Sequence, residues 1–510
     1  MILMSLRIKA ISNTFYLTMD WFFINLTSFL YSYVIWRTLP PENYGIVTTS
    51  VSLMMILSSI TSFGLTTSLP KLMAEYVKNK QHKKLEILLN LSLKIVLISN
   101  LILLPILFVS SPYLASVLKT TKGVIWLIIL GTLAFSFYYL TGSIIYGYQN
   151  MKLLFATNSI GNFVKLIVSS ILIFLSFNHF GPIIGVISGF ILISLIRINA
   201  CRFKLNLKSY SNNKKLIFEY IFPAFISALA IIIFNNVHYV VLTALKNPEV
   251  TGIYSMAMII MTPIMLIPNI LNQAIFPITS QLCVVKEAKK KQAYLINIVL
   301  RYMLLFSLPF AIFLIIFFKP AILFLKIKLE YLSAIDFIPI LASASIIFGC
   351  GNIYLSSLYA IRKPKINRNI IVLTTLLFLI SSIPLTYYFS AYGLSYSYLF
   401  AVSVLFLLSY SFIKKYLSIK FQTKDIIAII FSSVIFLLLI YFSNVLFANF
   451  LIKIISAMFS ILIYFLFLIP LKFYKKEDVQ ILEFLVRRSP QKMGELISKI
   501  SNFLSKFITE

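Results

Sequence analysis

Long apolar runs alternate with short polar gaps over nearly the whole chain. A helix needs about 20 consecutive apolar residues to cross a bilayer, and about fourteen runs reach that length. The predicted spans are residues 13–36, 45–69, 87–110, 123–146, 153–176, 181–200, 217–245, 251–278, 294–318, 335–360, 367–390, 393–413, 425–447 and 451–471. The pattern therefore predicts an all-α polytopic membrane protein with about fourteen transmembrane helices.

The basic residues predict the orientation of these helices. Most of the 45 lysine and arginine residues fall in every second gap. The largest groups occupy residues 71–84, 197–215, 286–301, 362–368 and 414–424. Short loops rich in Lys and Arg stay on the cytoplasmic side of a membrane. We therefore expect both termini in the cytoplasm of a multi-pass protein of the plasma membrane.

The composition excludes several classes of protein. Hydrophobic residues make up 60% of the chain and charged residues only 12%, which is too few for the surface of a soluble domain. The net charge of +30 is divided among short loops, so it favours contact with anionic lipids over nucleic acid. The three cysteines show no CxxC or Cys/His spacing, so neither a metal site nor a disulfide framework is predicted.

Two short segments recur in the second half of the chain. LPPENYGI at residues 39–46 resembles KNPEVTGI at 246–253, and FNHFGPIIG at 177–185 resembles FSAYGLSY at 389–396. Two copies with an even number of spans share one orientation, and an axis along the membrane normal relates them. We predict two six-helix lobes related by a pseudo-two-fold axis, followed by two C-terminal helices. The predicted boundaries are 1–210 for the N-lobe, 211–420 for the C-lobe, 421–472 for the last two helices and 473–510 for a cytoplasmic amphipathic tail.

Ionisable residues inside a span are costly and usually face a cavity or a partner. Asp20 lies in the first span, where its carboxylate could bind the coupling ion, Na⁺ or a proton. Lys165 lies in the fifth span and shares a helix face with Asn158, Asn162 and Ser169, which are spaced by three or four residues. This polar stripe suits the diphosphate and sugar hydroxyls of a substrate. The alternative is a hydrogen-bonded seam between helices.

Further candidates lie in other spans. Lys94 is a cavity residue, a structural partner of Asp20, or a side chain that reaches the interface. Arg301 has similar alternatives. His238 in the seventh span either takes part in proton coupling or is a satisfied hydrogen-bond partner. The eighth span combines a polar face for substrate with prolines that permit bending. These residues are Asn269, Asn272 and Gln273, flanked by Pro263, Pro268 and Pro277.

The chain resembles a known family in the order and spacing of several segments. It is similar to the Wzx-type polysaccharide and O-antigen flippases of the multidrug/oligosaccharidyl-lipid/polysaccharide (MOP) exporter superfamily. The resemblance is carried by residues 37–50, 62–76, 219–258, 319–325 and 356–370. The most specific elements are PENYG after the first span and PEVTGIY after the seventh. Many relatives have an acidic residue where this chain has His238, which puts in doubt any mechanism that needs a carboxylate there.

The resemblance implies two lobes that export a polyprenyl- or dolichyl-(di)phosphate-linked oligosaccharide by alternating access. The expected partners are this lipid-linked oligosaccharide, membrane lipids, and a glycan polymerase or oligosaccharyltransferase. We expect a monomer that binds no nucleic acid and no cofactor other than a coupling Na⁺ or proton.

Two other functions stay open. A cation-coupled drug or metabolite antiporter of the related MATE type would use Asp20 as its cation site. Lys94 and Lys165 argue against a cationic substrate, because like charges repel strongly at low dielectric. A membrane glycosyltransferase or polymerase would need paired carboxylates on an outer loop. The outer carboxylates do not form such a pair, so we expect no enzyme. They are Glu42, Glu249, Glu330 and Asp336.

Overall fold

The computed structural model describes residues 2–201, 221–282, 288–417, 419 and 423–486, with positions 495, 498, 499, 501, 502 and 505 of the tail. Over these residues the secondary structure is helical, without a strand. The predicted all-α class is therefore confirmed.

Seventeen α-helices are numbered here in chain order over the described residues. They are α1 (Ile2–Thr38), α2 (Pro41–Ser62), α3 (Leu65–Lys78), α4 (His82–Val109), α5 (Ser111–Val117), α6 (Lys122–Gly147), α7 (Met151–Phe174), α8 (Phe180–Cys201), α9 (Phe222–Leu245), α10 (Pro248–Met261), α11 (Leu266–Leu282), α12 (Ala288–Phe324), α13 (Ile338–Ala360), α14 (Pro364–Tyr416), α15 (Thr423–Leu446), α16 (Phe450–Phe467) and α17 (Lys476–Val486). Short 3₁₀ helices occupy Thr262–Met265 and Leu329–Asp336.

Twelve helical segments of the described chain are long and apolar enough to cross a membrane. One of them is α14, whose backbone leaves the helical conformation at Ser390 (φ 55°, ψ −136°). The break coincides with the boundary between the predicted spans 367–390 and 393–413. The multi-pass character is confirmed, whereas the count of fourteen spans stays a prediction.

Left-handed residues divide the predicted span 45–69. Helix α2 ends at Ser62, and Phe63 (φ 45°) and Gly64 (φ 76°) turn the chain into α3. A left-handed pair cannot continue a right-handed helix, so the apolar run becomes two helices. A second interruption lies at Pro263, where the 3₁₀ turn Thr262–Met265 separates α10 from α11. This interruption agrees with the bending expected from the prolines.

The chain forms two compact units. Unit A comprises Met1–Ile260, Leu325–Ala344 and Arg362–Ser409. Unit B comprises Met261–Phe324, Ser345–Ile361 and Tyr410–Glu510. The predicted lobe boundaries at residues 210 and 420 lie outside the described residues and stay predictions.

In unit A, α7 and α8 approach each other closely through glycines. A methyl group added at Gly189 would lie 2.6 Å from the carbonyl oxygen of Gly161, and one added at Gly161 would overlap Ile193. Small residues of this kind let two membrane helices pack backbone to backbone. The polar face of α7 is therefore held tightly against its neighbour.

The core of unit B is apolar and joins α12, α15 and α16. Phe317, Ile429 and Phe436 are buried there. The phenol of Tyr464 on α16 is also buried and donates to the carbonyl oxygen of Leu305 on α12 at 2.8 Å. A buried hydroxyl must be paired in this way, because an unpaired one is costly away from water.

Candidate functional site

A buried carboxylate joins α1 to α7 in unit A. Asp20 on α1 is only 8% exposed. The side-chain amide of Asn158 on α7 donates to both carboxylate oxygens, at 3.0 Å each. The sequence placed Asn158 on the polar stripe of the fifth span but did not predict its contact with Asp20.

Arg197 extends this contact to α8. Its Nη2 donates to Asn158 Oδ1 at 2.7 Å, and its Nε donates to Thr157 Oγ1 at 3.0 Å. Its guanidinium carbon also lies 5.0 Å from the ring centre of Tyr138 on α6. Asn158 thus donates to a carboxylate and accepts from a guanidinium, which links three helices.

Arg197 is the functional candidate that the sequence analysis missed. It was grouped with the cytoplasmic basic residues 197–215, but its side chain is fully buried. Its position inside the predicted span 181–200 was the signal that could have identified it. A basic residue three positions from a span end is normally expected to reach the interface.

Lys165 lies on the same face of α7, and the structure buries the whole stripe. Asn158, Asn162, Lys165 and Ser169 are each at most 9% exposed. Lys165 Nζ donates to Ser28 Oγ on α1 at 3.3 Å and lies 4.9 Å from the ring centre of Tyr31. The shared face is confirmed, while a role in substrate binding stays a prediction.

The remaining candidates of unit A lie on other helices. Lys94 is half-buried on α4. His238 on α9 is 1% exposed and lies among aromatic rings. The rings within 6.4 Å of its own are those of Tyr239, Tyr254, Phe378 and Tyr398. Ion coupling through Asp20 and His238 stays a prediction.

Arg301 belongs to unit B, where carboxylates neutralise it. Its Nη2 donates to Asp478 Oδ2 at 2.5 Å and to the Phe473 carbonyl oxygen at 2.6 Å. Its Nε lies 3.4 Å from Asp425 Oδ2 on α15. All three charged side chains are buried. The predicted substrate role of Arg301 stays untested, and its observed contacts connect α12, α15 and the start of α17.

Neighbouring groups complete this ion cluster. Lys475 Nζ donates to Asp425 Oδ2 at 2.6 Å, and the Tyr302 hydroxyl donates to Asp478. Tyr474 follows the last span, and burial together with the charge of Asp478 raises its pKa to about 12.

Asn272 on α11 lies beside a very small cavity in unit B. Asn272 Oδ1 accepts from Ser356 Oγ at 2.8 Å. The cavity next to this pair measures about 10 Å³, room for about one water molecule. Asn269 is half-buried on the same helix, and the side chain of Gln273 lies outside the described residues.

The sequence of residues 10–283 matches the family of polysaccharide biosynthesis proteins. The chain belongs to this family. No curated protein matches the sequence.

Solved structures show that this polysaccharide biosynthesis protein has the MurJ/MATE fold. The lipid II flippase MurJ in an inward closed conformation is 17% identical, with a TM-score of 0.72 over 88% of this chain and 96% of that one. An inward-facing multidrug resistance MATE family transporter of the MOP superfamily is 13% identical, with a TM-score of 0.64 over 77% and 94%. A MOP superfamily transporter from Pyrococcus furiosus is 14% identical, with a TM-score of 0.52 over 80% and 95%.

Unit B of this polysaccharide biosynthesis protein also contains an apolar groove of about 380 Å³. Residues of α11, α12, α15 and α16 line it, and no charged side chain is among them. They are Ile267, Phe306, Pro309, Phe310, Phe313, Phe436, Ile454, Ala457, Met458, Ile461 and Phe465. Such a surface fits hydrocarbon and excludes ions.

Among the described residues, no group of three His, Cys, Asp or Glu side chains is placed to hold a metal ion. The polar site of unit A consists of the buried residues Asp20, Asn158, Arg197 and Lys165. It can balance charge and form hydrogen bonds with hydroxyl or phosphate groups.

Proposed function

We propose that this protein is a flippase that moves a polyprenyl- or dolichyl-(di)phosphate-linked oligosaccharide from the inner to the outer leaflet by alternating access. Family membership and the MurJ/MATE fold support a transporter of the MOP type. MurJ is a lipid II flippase, and its similar fold supports a lipid-linked cargo by analogy.

The charge of Lys165 is the observation that carries the choice of substrate. Asp20 and Arg197 balance each other through Asn158, whereas no carboxylate lies within 4.0 Å of the Lys165 ammonium in the part of the chain that the structure describes. A buried cation inside a membrane protein needs an anionic partner or a water-filled path. The diphosphate of the lipid-linked sugar would provide that anion.

The apolar groove of unit B supports a lipid-linked substrate. An isoprenoid tail is all hydrocarbon, and burying it against aromatic and aliphatic side chains is favourable by about 25 cal/mol per Å². Helices α12 and α16 contribute most of the groove's lining. Both are long and apolar enough to cross a membrane. The groove would therefore suit the hydrocarbon tail of such a substrate.

The proposal places the protein in the plasma membrane with both termini in the cytoplasm. It would act as a monomer, receive its cargo from cytoplasmic assembly, and deliver it to a glycan polymerase or oligosaccharyltransferase. Surface polysaccharide or glycoprotein assembly would consume the cargo.

A MATE-like antiporter is the second candidate, because the chain also resembles MATE transporters in fold. The charge balance of unit A disfavours it, because Lys165 would repel a cationic substrate.

Deletion of the gene tests the proposal. Lipid-linked oligosaccharides and surface glycans would be quantified in the deletion strain and in a strain complemented with the intact gene. We expect full-length glycolipid to accumulate, surface glycan to fall, and complementation to reverse both. The mass of the accumulated glycolipid would identify sugar and carrier.

Other outcomes would overturn the proposal. Unchanged glycolipid and glycan, in a strain without a redundant flippase, would favour the antiporter. Shortened glycolipids would instead indicate an enzyme that extends the sugar chain.

A further inference from the structure

The carboxylate of Asp20 already faces a permanent positive charge from this chain. Asn158 holds the two groups in a fixed order, with its NH₂ on Asp20 and its carbonyl oxygen on Arg197. Only the amide group of Asn158 separates the Asp20 carboxylate from the Arg197 guanidinium. The two charges therefore attract strongly, because the site is shielded from water. Lys165 is the other buried cation of the site, and it contacts Ser28 and the ring of Tyr31 instead.

Arg197 is held in place by its surroundings. It is 0% exposed, and its Nε and Nη1 donate to Thr157 and to the Tyr138 carbonyl oxygen. Gly142 provides the space for the guanidinium, because a methyl group there would lie 3.0 Å from Nη1. An arginine with three nitrogen contacts in a fitted space does not swing away as an exposed lysine would.

We propose that Arg197 is a tethered counter-ion that balances Asp20 permanently, so that this site is complete without a bound Na⁺. Removing the positive charge would leave a buried carboxylate next to the Asn158 amide, and such a carboxylate takes up a proton at low pH or a new cation at a pH where it stays ionised. The Arg197→Gln variant would therefore gain a Na⁺ site that the unsubstituted protein does not have. The cation-binding part of this inference is independent of the cargo, while its meaning for transport rests on the proposed flippase function.

Purified full-length protein tests the inference without any transport assay. Thermal unfolding and ²²Na⁺ binding would be measured in NaCl and in choline chloride at equal ionic strength and at alkaline pH, where a carboxylate without its counter-ion is ionised. We expect no saturable Na⁺ effect on the unsubstituted protein. For Arg197→Gln we expect saturable Na⁺ binding and a higher unfolding midpoint in NaCl than in choline chloride.

Three variants control the result. Arg197→Lys keeps the charge but loses the fork of donors, so it should show no Na⁺ effect. Asp20→Asn combined with Arg197→Gln removes both charges and should abolish the new site. Asn158→Asp leaves Arg197 in place but adds a carboxylate. It should create Na⁺ binding even if Arg197→Gln does not fold.

Two results would overturn the inference. One is a saturable Na⁺ effect on the unsubstituted protein that Asp20→Asn removes. The other is a folded Arg197→Gln protein that binds no Na⁺. If that variant does not fold, a folded Asn158→Asp protein without Na⁺ binding has the same meaning. Thermal unfolding and ²²Na⁺ binding do not depend on export. Failure of the proposed flippase function would therefore leave both measurements unchanged.

Discussion

Gly45 on α2 and Gly252 on α10 each make room for the start of the other's helix. A methyl group at Gly45 would overlap the carbonyl oxygen of Pro248, and one at Gly252 would overlap that of Pro41. Both glycines belong to the two similar segments 39–46 and 246–253. Equivalent residues of the two similar segments therefore meet across a local two-fold relation in unit A.

Replacing Gly45 by alanine should destabilise the protein. The overlap is with backbone, so the helices must move apart, at a cost of about 1–3 kcal/mol. The matched control is Gly123→Ala, whose methyl group would lie 3.4 Å from the ring of Phe180, an ordinary contact. Thermal unfolding of the purified variants would show the difference, and equal unfolding midpoints for the two would contradict the close approach.

A disulfide between the same helices should block export. Thr48 and Ser255 are also equivalent positions, and their hydroxyl oxygens lie 3.0 Å apart. This distance brings the two side chains within reach of a disulfide. In a background free of native cysteines, Thr48→Cys with Ser255→Cys should cross-link and abolish surface glycan export until a reductant is added. Each single variant should export normally. Normal export by the cross-linked protein would show that α2 and α10 need not separate.

Hydropathy was sufficient to predict the helical class and the break within α14. Each span has to be apolar over about 20 residues, and this requirement is local in sequence. The buried stripe of α7 was predictable for the same reason, because three- and four-residue spacing places side chains on one face. These features depend on the chain's own periodicity.

The contacts between helices were not predictable in the same way. Arg197 looks like a cytoplasmic residue by position, and its burial depends on Asn158, Thr157 and the space beside Gly142. Arg301 was a substrate candidate because it is a cation inside a predicted span. Its structural partner Asp478 lies 177 residues away in sequence, so the pairing could not be recognised. Tertiary pairing of this kind leaves no periodic signal in a single sequence.

Lys165 should be needed for export but not for folding. Replacing it by methionine should reduce export roughly ten- to hundredfold, since a hydrogen bond to a charged group contributes about 1.5–3 kcal/mol. Lys152→Met is the control, because Lys152 is exposed on the same helix. Surface glycan would be compared at equal amounts of folded protein. Normal export by Lys165→Met would remove Lys165 from the substrate path.

Asp478→Ala should unfold unit B more readily than Lys475→Met. The first change leaves the buried Arg301 short of one carboxylate, a loss of about 3 kcal/mol. The Lys475 side chain is 35% exposed, so its pair with Asp425 should contribute at most about 1 kcal/mol. Unfolding in detergent would rank the two variants. A larger destabilisation by Lys475→Met than by Asp478→Ala would show that the strength of these ion pairs does not follow their burial.

His179 should make the protein less stable in mild acid. His179 follows α7, and its Nδ1 lies 3.1 Å from Asn43 Oδ1. Partial burial lowers the pKa of His179, and this effect outweighs the negative charge of Glu42, which raises it. The unfolded chain then takes up a proton before the folded one, so stability is lost as pH falls below the usual histidine pKa of about 6.5. Unfolding midpoints at neutral and acidic pH should converge in His179→Gln. Replacement of the exposed His82 by glutamine should leave the pH dependence unchanged.

The space beside Gly142 restricts the residues that related sequences can carry at this position. A methyl group at this position would lie 3.0 Å from Nη1 of Arg197, so a larger side chain there would displace the guanidinium. We expect the two positions to change together. This pair would then divide relatives into chains that contain their own counter-ion and chains that must take one from solution.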